Sequence, residues 1–162
     1  MKVIFLDIDG VLNSHRFYKE RKANGWKRTE DADEICPKHV QQFNRILDAT
    51  GAKVVLSSTW RKFHELPEMV GILKSRGCKL AQFIGRTPDG ETKMESGLWS
   101  SCRRGVEIQQ WLDSNPGVER FVILDDDSDM EHLLPYLVRC DGMTGLTDAE
   151  ADEVIKRLNG DS

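Results

Sequence analysis

Short apolar runs recur along this chain, and helical patterns separate them. Val3–Leu6, Lys53–Leu56, Leu80–Ile84, Phe121–Leu124 and Tyr136–Cys140 read as strands. Between them, Pro37 opens a helix that Gly51 closes after Thr50, with Val40, Phe43 and Leu47 on one face. Leu66, Val70 and Leu73 mark a second helix, stopped by Gly77, and Gly105–Leu112 marks a third. Thr147-x-x-Glu150 is a capping box opening a last helix with Ala151, Val154, Ile155 and Leu158 inward. Such alternation predicts an α/β fold, a three-layer Rossmann-like parallel sheet with helices on both faces. Chemistry in these sheets sits outside the carboxyl ends of the strands.

At 162 residues, with no internal repeat and no linker, a single domain spanning 1–162 is expected. No apolar run approaches the roughly 20 residues of a membrane span. The first residues form no secretory h-region, so a cytoplasmic location is expected. A net charge of −4 argues against broad nonspecific binding to nucleic acid, though not against a local basic patch. Cys36, Cys78, Cys102 and Cys140 form no C-x-x-C pair, and reduced thiols are expected.

The strand ends carry the chemistry. The first ends in Asp7-Ile8-Asp9-Gly10. Residues two apart on a strand point the same way, so the two carboxylates converge. They repel unless a proton or cation intervenes, and a hard ion such as Mg²⁺ is the simplest answer. Gly10 permits a sharp turn or a close approach to the backbone. The competing reading is an acidic turn, for which Asp-Gly is common. The second strand runs into Ser57-Ser58, and a later one into Asp125-Asp126-Asp127. In a parallel sheet these ends share one rim. Acidic groups plus hydroxyls there suit metal-assisted phosphoryl transfer, with a carboxylate attacking phosphorus.

Two stretches show no period. Residues 14–34 read as a long polar loop folding over the site as a flap or minimal cap, with Arg16, Lys19, Arg21, Lys22, Lys27 and Arg28 giving it a basic inner surface. Residues 85–103, rich in Gly, Ser and Thr, read as a second irregular connection.

The motifs, in order, resemble those of the haloacid dehalogenase-like (HAD) phosphohydrolases. Phe5-Leu-Asp-Ile-Asp-Gly-Val-Leu12 looks like the first motif, Val54-Val-Leu-Ser57 like the second and Ile123-Leu-Asp-Asp126 like the fourth. The resemblance implies a Mg²⁺-dependent phosphatase. Asp7 would be the nucleophile that forms an aspartyl-phosphate. Asp9 would protonate the leaving oxygen and then deprotonate the hydrolytic water. The metal ligands would be Asp7, Asp9 through its carbonyl, and Asp126, with Asp125 supporting a metal-bound water. Register within the triple Asp stays open, since Asp127 competes. Ser57, with Ser58 beside it, would bind the phosphate. An acid at position 9 favours phosphatase over dehalogenase chemistry.

The third motif departs from the family, which usually places a lysine ahead of a helix. Here the matching place reads Ser101-Cys-Arg103-Arg104-Gly. Arg104 is the first candidate, Arg103 the second and Lys93 a weaker third. Ser57-Ser-Thr-Trp-Arg61, Arg104-Gly-x-Glu-Ile-x-x-Trp-Leu112 and Gly145-Leu-Thr147 resemble a small-cap subgroup related to nucleic-acid-repair phosphatase domains. That likeness implies a phosphate contact for Arg61. Trp60 either stacks on a base or, more commonly for a Trp between strand and helix, packs in the core. The short insertions leave an open site, suiting a phosphate on a large or extended substrate such as a nucleic-acid end or a phosphoprotein, without excluding nucleotides. The implied partner is thus a phosphorylated small molecule or nucleic-acid end, with no membrane and no oligomeric state implied. Two alternatives are a receiver-like phospho-acceptor module and a catalytically idle phosphate-binding scaffold.

Overall fold

A computed structural model of the chain describes residues 1–79, 82–88 and 103–160, together with the backbone of 92–93 and 99–100. The strand expected to start at Leu80, the Lys93 side chain and Cys102 therefore lie wholly or partly outside the described residues.

The central strand, β1 (Lys2–Leu6), has Val3, Ile4, Phe5 and Leu6 fully buried. Both its faces are covered, which is why its apolar run is continuous rather than alternating. It pairs in parallel with β2 (Lys53–Leu56) on one side and β6 (Arg120–Asp125) on the other. Parallel strands β3 (Phe83–Arg86) and β7 (Leu137–Arg139) form the edges, giving the order β3-β2-β1-β6-β7. β4 (Thr92–Lys93) and β5 (Trp99–Ser100) pair separately as a short antiparallel ribbon inside the stretch expected to be irregular. The first strand is central, and the second and third strands follow it outward on one side. A receiver-type sheet, ordered 2-1-3-4-5, has its third strand in the centre instead.

Alternation along β1 divides the core. Ile4 and Leu6 face a cluster with Val40, Phe43 and Leu47 of α2 (Pro37–Thr50), Met69 and Leu73 of α3 (Leu66–Ser75), and Val154 and Leu158 of α5 (Asp148–Asn159). Val3 and Phe5 face Ile108 of α4 (Arg104–Asp113), with the Trp111 ring edge-on to Phe5 at 5.4 Å. Both α2 and α5 end on left-handed glycines, and Thr147 and Glu150 form the expected capping box. β3 begins later than expected and runs on through Gly85 and Arg86, where ladder pairing continues after the apolar pattern has ended. Tyr136 falls in a 3-10 segment (Glu131–Tyr136) instead of the last strand. Among the described residues, no helix is long and apolar enough to cross a membrane.

The largest departure is in residues 14–34. Helix α1 (His15–Ala23) and a 3-10 turn (Asp31–Glu34) stand where no period was visible. Phe17 is the only buried residue of α1, so no apolar stripe marks it. Tertiary bonds hold it instead. Ser14 caps it, and the backbone amides of His15 and Arg16 donate to the carbonyls of Gly142 and Met143, each at 3.0 Å. The expected basic inner surface does not form. Arg16, Lys19, Lys22 and Lys27 are exposed, Arg28 pairs with Asp31 and Glu34, and Arg21 lies over the rings of Phe17 and Trp26.

His39 ties this helix to the body. Its Nδ1 donates to the Leu146 carbonyl (3.0 Å), so Nε2 accepts from the Ser14 hydroxyl (3.1 Å). Burial, aided slightly by Lys38, lowers its pKa, against the Leu146 bond and Glu150. The unfolded pKa is about 6.5, so its contribution is complete above that pH and is lost as pH falls toward the lower folded value. Thermal melts from pH 7.5 to 5 should show a steeper acid-side loss for the wild type than for His39→Gln. Equal slopes would rule this clamp out as the cause.

Candidate active site

Register brings the chemistry to one rim. Leu6 sits beside Leu56 and Leu124. The ladder extends one residue beyond them: the Asp7 amide donates to the Leu124 carbonyl (2.9 Å) and the Ser57 amide to that of Leu6 (2.8 Å). The Cys140 amide closes the row on the Asp125 carbonyl (2.9 Å). A one-residue slip of β1 would turn Asp7 to the opposite face of the sheet.

Carboxylate oxygens of Asp7, Asp125 and Asp126 lie within 4.8 Å of one another. Asp7 and Asp125 are buried. Burial first, and then the charge of Asp125, hold the Asp7 carboxyl well above the usual carboxylate range, while Arg104 works the other way. Burial also raises Asp125, against a hydrogen bond from the Asp127 amide and the charge of Arg104. Paired buried carboxylates that resist ionisation match a hard cation with oxygen ligands, so the donor set fits Mg²⁺. Gly10 adds to the fit. Its φ is +80°, and a methyl group there would overlap the Asp126 carboxylate, so only glycine lets that group lie against the turn.

Arg104 reaches this cluster from the first turn of α4, with Nε 3.8 Å from Asp125 Oδ2. Its Nη1 is buried and has no partner among the described residues, and the same holds for the Ser57 hydroxyl. Arg103 points outward to Glu131 at 3.2 Å. The structure thus brings Arg104, rather than Arg103, to the acids. In the triple Asp, 125 and 126 converge, while Asp127 is exposed and accepts from the Ser128 amide.

Ser58 is buried and accepts from the Trp60 amide at 3.3 Å, capping a 3-10 turn (Thr59–Lys62). Arg61 is also buried, its guanidinium bonded to Glu107 of α4 and to the Ser58 carbonyl (2.8 Å). It ties the end of β2 to α4 and faces a carboxylate.

Asp9 is exposed, and its carboxylate stands outside the three-acid cluster. Its Oδ1 accepts from the Trp60 indole N–H (3.1 Å) and the Asn13 side-chain amide (2.9 Å). Asn13 in turn accepts from the Gly10 amide at 2.8 Å. Trp60 takes the core role of the two expected for it: it is buried, and it uses its one polar atom on Asp9. A buried indole needs a partner for its N–H, and that was the available signal. Asn13 and Tyr18 were missed. Tyr18 sits on α1, where burial and then the charges of Glu34 and Asp9 push its hydroxyl pKa up.

The family model described as "HAD domain in Swiss Army Knife RNA repair proteins" matches residues 3–151. Neither the curated proteins nor the solved structures give a match. The matched stretch takes in the parallel sheet from Val3 onward and all three strand ends that carry the acids and hydroxyls. A HAD domain implies phosphohydrolase chemistry in general, on a phosphorylated substrate. This chain belongs to the HAD superfamily, in the family of HAD domains found in RNA repair proteins.

Proposed function

We propose that this chain is a Mg²⁺-dependent phosphomonoesterase that works through an aspartyl-phosphate on Asp7, on phosphorylated nucleic-acid ends or nucleotides. One observation carries the reading. Of the four buried side-chain donors without partners among the described residues, Ser57 Oγ and Arg104 Nη1 accompany the cluster of three carboxylates. Buried donors without partners are costly unless a ligand supplies the acceptors. A phosphoryl group supplies them.

Asp7, Asp126 and the Asp9 carbonyl would hold the cation, with Asp125 beside them. When bound, it neutralises the repulsion between an attacking carboxylate and the phosphate. Arg104 adds a fixed positive charge with donors that suit phosphate oxygens. An Asp7 oxygen forms a bond to phosphorus as the bond to the ester oxygen breaks. That oxygen leaves with a proton from Asp9. Water then attacks phosphorus, Asp9 takes its proton, the Asp7–phosphate bond breaks and inorganic phosphate departs. Trp60 and Asn13 both bond Oδ1 of Asp9, which directs the exchanged proton to Oδ2.

The insertion after β1 contains one helix and one 3-10 turn among its described residues. An opening of this kind admits the end of a polymer as well as a free nucleotide. The test is a phosphate-release screen over sugar phosphates, nucleotides, 3′- and 5′-phosphorylated oligonucleotides and phosphopeptides, with Mg²⁺ and with EDTA. Release from nucleic-acid ends or nucleotides that EDTA abolishes is the expected result. Preference for a sugar phosphate, or activity that persists in EDTA, overturns it.

A further inference from the structure

The proton donor to a leaving group marks the side on which that group must sit. Asp9 lines a cavity of about 230 Å³, formed with Asp31, Glu34, Trp60 and Phe63 among its walls. Phe63 stands at 78% exposure, the highest of the large hydrophobic side chains among the described residues. It follows directly on the 3-10 turn that carries Trp60, so the bond from Trp60 to Asp9 fixes the ring's base relative to the acid. The lining also carries acids. Arg28 bonds Asp31 and lies 3.3 Å from Glu34, and His64 Nε2 lies 2.7 Å from Asp31. These contacts hold the two carboxylates in place, and each retains lone pairs that can accept from a hydroxyl or amine.

The geometry points to this cavity as a subsite for the leaving group of the reaction, one that takes a nucleoside with its base stacked on Phe63 and its hydroxyl or amino hydrogens turned to Asp31 and Glu34. This rests on the assignment of Asp9 as the acid under the proposed function. The volume suits one nucleoside-sized group. The acidic wall repels a second phosphate, so the remaining strand leads away from it and the neutral terminal nucleoside enters. A flat apolar ring is also how proteins hold single bases without reading their sequence.

The test uses the full chain with Mg²⁺ and oligoribonucleotides phosphorylated at the 3′ or the 5′ end. Each is made with a normal and with an abasic phosphorylated residue. On the end it prefers, the wild type should favour the base-bearing substrate by about tenfold or more in kcat/KM, chiefly through KM. Phe63→Ala should reduce that ratio to about twofold or less, and Phe63→Trp should restore it. A wild type that ignores the missing base, or a Phe63→Ala variant that loses activity on both substrates with the ratio intact, overturns the subsite but leaves the phosphatase reading standing. A phosphopeptide turned over better than either oligonucleotide also overturns it, by giving the cavity to a peptide. Release from none of these substrates defeats the underlying reading, and the subsite with it.

Discussion

Replacing Asp7 with Asn is expected to lower phosphate release by about 10⁴-fold or more while making the cation-free protein more stable. The two effects have one cause. Asp7 is nearly fully buried, at 6% exposure, and shares its site with Asp125 and Asp126. An oxygen anion in that position is a nucleophile, and without a cation it is a charge held out of water and, second to that, a like-charge neighbour of Asp125. The amide of Asn keeps the shape, removes the charge and cannot form the acyl phosphate. Removing that charge is worth on the order of 1 kcal/mol, or about 2–4 °C in Tm for a domain of this size. Melts in EDTA and phosphate release in Mg²⁺ check both halves. Added Mg²⁺ should raise the wild-type Tm more than that of the variant, since binding to the folded state alone stabilises it. A variant that loses activity and also melts earlier would show that Asp7 holds the fold together, and the nucleophile assignment would fall.

Much of this site was legible because its parts are local. Val3 to Leu6 reads as a buried strand, and such a strand places Asp7 at its end. Leu56 and Leu124 likewise lead directly to Ser57 and Asp125. What sequence could not show are the pairings between distant residues. Trp60 and Asp9 are 51 positions apart, and Arg61 and Glu107 are 46 apart. Neither pair leaves a periodic trace. The resemblance implied a phosphate contact for Arg61, yet its guanidinium is bonded to Glu107 and the Ser58 carbonyl, with its buried Nε left without a partner among the described residues. A buried pair of that kind needs both partners, since either alone would be an uncompensated charge. α1 escaped notice for a different reason. Periodicity detects helices that bury a stripe, and this one buries Phe17 alone. Its order comes from the 142–146 loop and His39, contributed by residues that follow it in the chain.

Gly105→Ala should be the most damaging methyl group that can be added to the helices. Within a helix, alanine ordinarily stabilises relative to glycine by up to about 1 kcal/mol. At Gly105 the added carbon would overlap the backbone carbonyl of Met130, which no side-chain rotation can move aside. The first turn of α4 lies directly on the loop after β6. The Gly105 amide donates to the Asp129 carbonyl at 3.0 Å, and the Arg104 amide donates to the Asp129 carboxylate at 3.2 Å. Lifting α4 to clear the overlap breaks both bonds and draws the Arg104 guanidinium away from Asp125. Overpacking of this kind costs about 3 kcal/mol, or about 6–12 °C in Tm, and the variant that remains folded should show a raised KM for its phosphorylated substrate. Gly71→Ala supplies the contrast. That glycine lies within α3 with nothing near its added carbon, so the same substitution should leave the protein as stable or more so. If both variants melt alike, α4 is not seated on Met130, and the docking that sets Arg104 beside the acids is wrong.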